Sequence, residues 1–294
     1  MSSKNALLGL WAETSLHAGA GGSVSGIDLP IQREAHSGWP CVYGSAVKGA
    51  LRAKAEDKLG ADNCSIAYVF GPNTDQASEH AGALLVGDAR LLLLPVRSLT
   101  SHFKWVTCPA LLERLQRDCK RLGITLNFTL PAAPDKEQAL VANIDDNDLF
   151  LEEYRFTSQP TELGELIAAL HQLSGIAEDA LRQQLAIIHN DQFSYLSSYA
   201  TPVIAHIAID NDKKTAKPGA LWYEESLPPE TVLYCALSAY RSRAAKDGLS
   251  ADDILNCITQ DLFAASPYLQ LGGNETVGMG WCKVTTVNSN SSEA

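Results

Sequence analysis

Positive charge is what this sequence is short of. Its 23 lysines and arginines stand against 34 acidic residues, a formal net charge of −11. That argues against a protein that holds nucleic acid through its overall field, so any phosphate binding must come from a local groove in an acidic surface. Paired cysteines are also missing. The seven, at 41, 64, 108, 119, 235, 257 and 282, include no CxxC and are odd in number. This speaks against a disulfide framework or a zinc knuckle and for reduced thiols in the cytoplasm. No apolar run approaches membrane length. The start, MSSKNALLGLW, lacks a secretory h-region and is soon closed by Glu13, so the expectation is a cytoplasmic protein without a membrane partner. HExxH, GxSxG and a supported Cys–His pairing are absent too, which sets aside protease and serine hydrolase chemistry.

What is present is ordinary globular material, 46% hydrophobic and 19% charged, in 294 residues, enough for one large domain or two modest ones. Residues 5–16 read as a strand with Leu8, Leu10 and Ala12 on one face. Residues 17–40 carry Gly19, Gly21, Gly22 and Gly26 and no sustained periodicity, a loop long enough to be functional or disordered. From Gly44 the repeat of Val47, Leu51, Ala55 and Leu59 predicts a helix closed by Gly60. ALLVGDARLLLLPV predicts a strand pair or a strand kinked at Gly87-Asp88, and CPALLERLQRDCKRLG a helix from Pro109 to Gly123. An acidic turn, IDDND, separates strand-like pieces, and TELGELIAALHQLSG and EDALRQQLAIIHN predict two short helices. VIAHIAID and GALWYEE flank NDKKTAKP as a hairpin. ETVLYCALSAY predicts a strand, ADDILNCITQDLF a helix, and LQLGGNETVGMGWCKVTTV a glycine-rich turn between two short strands. The order gives an α+β, ferredoxin-like core, residues 1–100 and 225–287, with 101–224 inserted and a disordered tail at 288–294.

Three features carry candidate chemistry. Ser45, Lys48 and Arg52 share one helical stripe at i, i+3 and i+7, beside Gly44 and Gly49 and an N-terminus whose N–H groups suit an anion. A solvated basic face would read the same. Asp28 stands alone in a Gly/Ser loop, where it could hold a divalent cation, act as a base, or be a surface aspartate. His17 lies at the other end of the loop and would meet Asp28 if the loop folds back. Glu224 and Glu225 are further carboxylates, of which a strand would turn only one toward a site. Gly272-Gly273, a further candidate RNA contact, and Gly278-Met279-Gly280 form a backbone-rich turn that is neither a phosphate loop nor a dinucleotide turn.

Taken in order, IDLPIQRE, GSAVKGALR, GDARLLLLPVRSL with WVTCP, ALWYEESLPPET and LQLGGNETVGMG resemble the backbone subunit of type III-B CRISPR effector complexes, a RAMP-superfamily subunit. The resemblance implies an RRM-related, ferredoxin-like palm with an inserted helical region and a β-hairpin thumb near 201–225. It implies polymerisation with copies of itself along a CRISPR RNA, beside other effector subunits. It implies that Asp28 cleaves complementary target RNA, with divalent metal, Mg²⁺ by expectation, at Asp28. Ser45, Lys48 and Arg52 would hold guide phosphates, with Gln32 and Arg33 as further guide contacts. Lys213, Lys214 and Lys217 on the thumb tip would touch RNA backbone, and His206 stands where the family commonly has an arginine. A guide-binding scaffold that does not cut, and a free-standing single-stranded RNA-binding module, remain as alternatives.

Overall fold

The computed structural model describes residues 3–24, 26–60, 64–72, 81–143, 147–243 and 248–289. Of the predicted tail, 288–294, Asn288 ends the last strand and Ser289 N–H donates to Asn5 O, while 290–294 and the centre of the acidic turn, 144–146, lie outside them. The chain opens with β1 (Lys4–Ala12), β2 (Cys41–Val42), α1 (Gly44–Leu59), α2 (Cys64–Phe70) and β3 (Leu84–Arg97). Next come β4 (Phe103–Thr107), α3 (Pro109–Leu122), β5 (Gln138–Val141), β6 (Asp148–Leu151), β7 (Tyr154–Pro160), α4 (Gly164–Ser174) and α5 (Glu178–Gln184). They are followed by β8 (Leu185–Ile188), α6 (Asn190–Tyr199), β9 (Val203–Asp210) and β10 (Thr215–Glu225). The chain closes with β11 (Val232–Ala239), α7 (Ala251–Asn256), β12 (Tyr268–Gln270) and β13 (Trp281–Asn288).

Four of these strands, in the order β13-β1-β11-β3, pair antiparallel throughout. With α1 after β1 and α7 before β13, this is the ferredoxin-like arrangement that the element order predicts. The sheet does not stop at β3. β4, β8, β5, β7 and β6 continue it outward, so segment 101–202 extends the same sheet.

Both faces of the sheet are covered. Ala6, Leu8 and Leu10 of β1 pack with Val47, Leu51 and Ala55 of α1 and Ile254 of α7. Leu7 packs on the opposite side with Leu112 and Leu115 of α3 and Leu166, Ile167 and Leu170 of α4. A strand covered on both faces reads as a continuous apolar run, which accounts for LLLL in β3. There the register against β11 slips once at Leu92, setting Leu92 and Leu93 in the same layer, and again near Gly87-Asp88, the kink expected from the sequence.

Helix α3 starts with Pro109 and ends at Gly123 in the left-handed conformation, φ 66°. Leu59 departs from its predicted place on the buried stripe of α1, being 41% exposed where the helix runs past the sheet. Residues 185–188, predicted helical, are instead β8. Leu-Ala-Ile-Ile is wholly buried between β4 and β5, and β-branched residues in that slot favour pairing over helix. The helix from Ala251 is capped by a reciprocal Ser250–Asp253 box and gives way to a π-helical turn at Cys257–Asp261. The six cysteines whose side chains are described are free thiols. Among the described residues, no helix is long and apolar enough to cross a membrane.

Candidate functional site

The loop from His17 to Pro40 doubles back on itself. Gly19 pairs with Ile31, Ala20 N–H donates to Pro30 O at 2.8 Å and Gln32 N–H to Ala18 O at 2.8 Å, around a turn at Gly26. The folded loop then docks on the last residues of β10. Tyr223 O accepts from Asp28 N (3.1 Å) and Leu29 N (3.0 Å), and Glu225 N–H donates to Leu29 O (3.0 Å). Asp28 Oδ2 accepts the Tyr223 N–H at 2.8 Å. The Asp28 side chain is exposed, and among the described residues no bond occupies its Oδ1. A carboxylate with one oxygen tied to backbone has a fixed direction and one free acceptor.

His17 is buried at the other end of the loop. Its Nδ1 lies 2.7 Å from Glu225 O, and a carbonyl only accepts, so Nδ1 carries the proton. The same nitrogen is 3.8 Å from Glu224 Oε1, which in turn accepts from Asn274 Nδ2. His17 and Asp28 thus reach neighbouring residues of one strand, not each other. The glycine-rich turn closes over them. Gly273 N–H donates to His17 O at 2.8 Å, and Gly272, at φ 80°, has room for no side chain, since a Cβ there would fall 2.2 Å from His17 O. Glu224 and Glu225 point opposite ways, and both are buried, 6% and 3% exposed.

Arg33 and Gln32 are spent inside the protein. Arg33 donates to Gly38 O, Ser197 O, Thr201 Oγ1 and Glu225 Oε1. Gln32 accepts from Tyr43 N at 2.6 Å and donates to Gly19 O at 3.0 Å, tying the loop to the start of α1.

On α1, Ser45 and Gly49 are exposed, and Lys48 and Arg52 half-buried. Gly44 is buried instead, because a Cβ there would meet Val86 O of β3 at 2.6 Å; it lets the helix approach its own sheet. The Gly44 N–H is taken by Asp88 Oδ1 at 2.7 Å, and Ala46 and Val47 N–H donate to Tyr43 O. That leaves Ser45 as the open position of the helix start. Arg52 is held by Glu56 Oε1 (2.7 Å) and Gly71 O (2.9 Å), whereas Lys48 has no hydrogen-bond or ion-pair partner among the described residues. Burial, and then the charge of Arg52, push the Lys48 ammonium below the ordinary lysine value. A cation partly stripped of water and lacking a counter-charge suits an incoming anion.

The hairpin β9–β10 stands apart from the main sheet. Its turn is made by Asp210 Oδ1, which accepts from Asp212 N and Lys213 N, with Lys214 in the left-handed region at φ 53°. Lys213, Lys214 and Lys217 are exposed there. Ile207 and Leu221 are more than half exposed along the hairpin. His206 and Trp222, opposite each other, stack at 5.4 Å with rings 14° apart, on the same face as Glu224.

Among the described residues no three His, Cys, Asp or Glu side chains gather as a metal site. The chain offers a divalent ion the single open oxygen of Asp28, which does not build a protein-made Mg²⁺ cage. Sequence reasoning missed Tyr223, Thr201, Asn274 and Asp88. Asn274 alone left a sign, as an asparagine following Gly272-Gly273, and it adopts φ 62°.

Comparison with known proteins shows the family. Residues 11–283 match the model of the RAMP superfamily. The chain is 36% identical over 286 residues to the CRISPR system Cmr endoribonuclease Cmr4 of Pyrococcus furiosus, covering 95% of this chain and 94% of that protein. It is 25% identical over 304 residues to the CRISPR system CMR subunit Cmr4 of Saccharolobus solfataricus, covering 94% of each. A crystal structure of oligomeric Cmr4 from Pyrococcus furiosus superposes with a TM-score of 0.73 at 29% identity, over 98% of this chain and 99% of that one. The same fold occurs in a type III-B Cmr-beta complex bound to cognate target RNA, with a TM-score of 0.73 at 20% identity over 97% of both chains. The chain belongs to the RAMP superfamily, and within it to the family of these Cmr4 subunits.

Proposed function

We propose that the chain is the repeated backbone subunit of a type III-B CRISPR ribonucleoprotein, and that it cuts target RNA complementary to its guide at regular intervals. The palm, 1–100 and 225–287, would carry guide RNA on the α1 side. The insertion, 101–224, would supply the thumb, and copies of the chain would stack along the guide beside other effector subunits. The observation that carries the reading is Asp28, exposed on a loop docked by backbone bonds to the base of the thumb. Similarity to a Cmr endoribonuclease, and to a subunit of a Cmr-beta complex bound to target RNA, supports it.

Asp28 Oδ1 is suited to take the proton of a target 2′-hydroxyl. The 2′-oxygen attacks the adjacent phosphorus, the bond to the 5′-oxygen breaks, and that oxygen leaves with a proton from solvent. Because Asp28 is anchored at Tyr223, the thumb and the base keep one fixed distance. A thumb that unstacks a nucleotide would present its ribose beside the carboxylate in line, a positioning contribution. Mg²⁺, which the family resemblance implies, would find one protein oxygen at Asp28 and take its other ligands from RNA and water. Sequence would be read by pairing with the guide, the protein holding backbone and shape.

Lys48→Ala should weaken guide binding equally for every sequence. For a single strand, losing one phosphate contact flattens the slope of log affinity against log salt by about 0.7. Because the Lys48 ammonium is depressed and a phosphate would raise it, wild-type affinity should fall as pH rises through a region below the ordinary lysine range. Titrations of labelled guide over salt and pH check both, and identical curves for the variant would place the guide elsewhere.

Replacing Asn211 to Pro218 with a Gly-Ser turn tests the thumb. These residues are exposed, so the palm should fold and load guide as before. Cleavage of complementary RNA should drop, and an equal loss of loading would make the hairpin a packing element.

A further inference from the structure

The structure points to Glu225, paired with Arg33, as a positioning clamp that holds the Asp28 loop to the thumb and so confines each cut to one phosphate. The inference rests on the reading of Asp28 as the cleaving group. Glu225 ends β10 and is 3% exposed, with Oε1 2.5 Å from Arg33 Nη2 and 2.7 Å from Thr201 Oγ1, and Oε2 accepting the Ile31 N–H at 3.1 Å. Its backbone is used as fully. The N–H donates to Leu29 O, and the carbonyl accepts from His17 Nδ1. One residue thus holds the loop just after Asp28, at Leu29 and Ile31, and again at its start, at His17.

Arg33 completes the clamp. It also donates to Thr201 Oγ1, and its bonds to Gly38 O and Ser197 O, at 2.8 Å each, tie the far arm of the loop and the end of α6 to the same point. This carboxylate, with both oxygens engaged by a guanidinium, a hydroxyl and an amide, is buried away from substrate. Chemistry by Glu225 is set aside by that burial, and Arg33 is likewise too committed to grip a guide phosphate. The pair instead fixes where Asp28 sits along the thumb. A base held loosely would still meet 2′-hydroxyls, but at more than one ribose and less often in line.

The test is single-turnover cleavage of end-labelled complementary RNA by guide-loaded complex carrying Glu225→Gln, read for rate, target affinity and cut positions. It runs beside amide hydrogen exchange of the loop and beside Asp28→Asn. The amide of Gln places an N–H₂ against donors that the carboxylate satisfied. Cleavage should slow on the order of 10-fold at unchanged target affinity, with cuts spreading to neighbouring phosphates and faster exchange confined to Leu29 and Ile31. Sharp cuts at the wild-type rate, with Asp28→Asn inactive, overturn the clamp and leave the catalytic reading standing. Full activity of Asp28→Asn overturns both. Should Glu225→Gln fail to load guide, Thr201→Val removes one bond of the clamp and is read by the same criteria.

Discussion

Asp28→Asn is expected to leave guide and target binding as they are and to slow cleavage on the order of 10²-fold or more, the scale of a positioned acid–base group. Asparagine keeps the size of the side chain, and its carbonyl oxygen can accept the Tyr223 N–H as Oδ2 does, so the loop stays docked. What it loses is the charge at Oδ1, and with it a carboxylate oxygen able to take a proton or to meet a divalent ion. The rate in a single-turnover assay with saturating complex isolates that loss from binding. His17→Ala should cost less. Its ring meets the protein at Glu225 O and beside Glu224, an orienting role, while its own burial keeps it from substrate.

Gly272→Ala should be severely destabilising. A Cβ there lies 2.2 Å from His17 O and 2.8 Å from His17 C, both backbone atoms with no rotamer to change. The left-handed φ of 80° adds about 1 kcal/mol for any side chain. The turn 271–280 must therefore lift from the loop, losing the Gly273 N–H bond to His17 O and the bond from Asn274 to Glu224. A loss of about 3 kcal/mol is expected, seen as a lower denaturant midpoint at unchanged slope. Gly273→Ala is the control. Its Cβ would meet the His17 ring at 3.8 Å, ordinary contact, and its stability should change little.

How much of this was legible depends on whether the deciding contact is local. The buried stripe of α1 as far as Ala55, the caps of α3 and the hairpin at 203–225 are written within a few residues of themselves, and each forms where its pattern says. The order of strands and helices was enough for the ferredoxin-like sheet. β8 was not legible as a strand, because only burial between β4 and β5 decides between a short helix and a strand for Leu-Ala-Ile-Ile. Asp28 stood out through its place in the IDLPIQRE block that carries the family resemblance, since a surface aspartate in a glycine-rich loop would read the same from the loop alone. Gly44, Arg33 and Glu225 read as substrate-facing because their partners are far off in the chain. Gly44 answers to Val86, and Glu225 to an arginine 192 residues away. Small or charged residues beside a site look alike in sequence whether they face the ligand or hold the frame.

The most direct test of the account is a map of the cuts made by guide-loaded complex on a complementary RNA carrying one 2′-deoxy nucleotide at a single cut position. If Asp28 works by freeing a 2′-hydroxyl beside each thumb, that one cut disappears while the others persist at even spacing. Cutting undiminished at the deoxy position, or no cutting of the all-ribose target by a complex that binds it, would contradict the account.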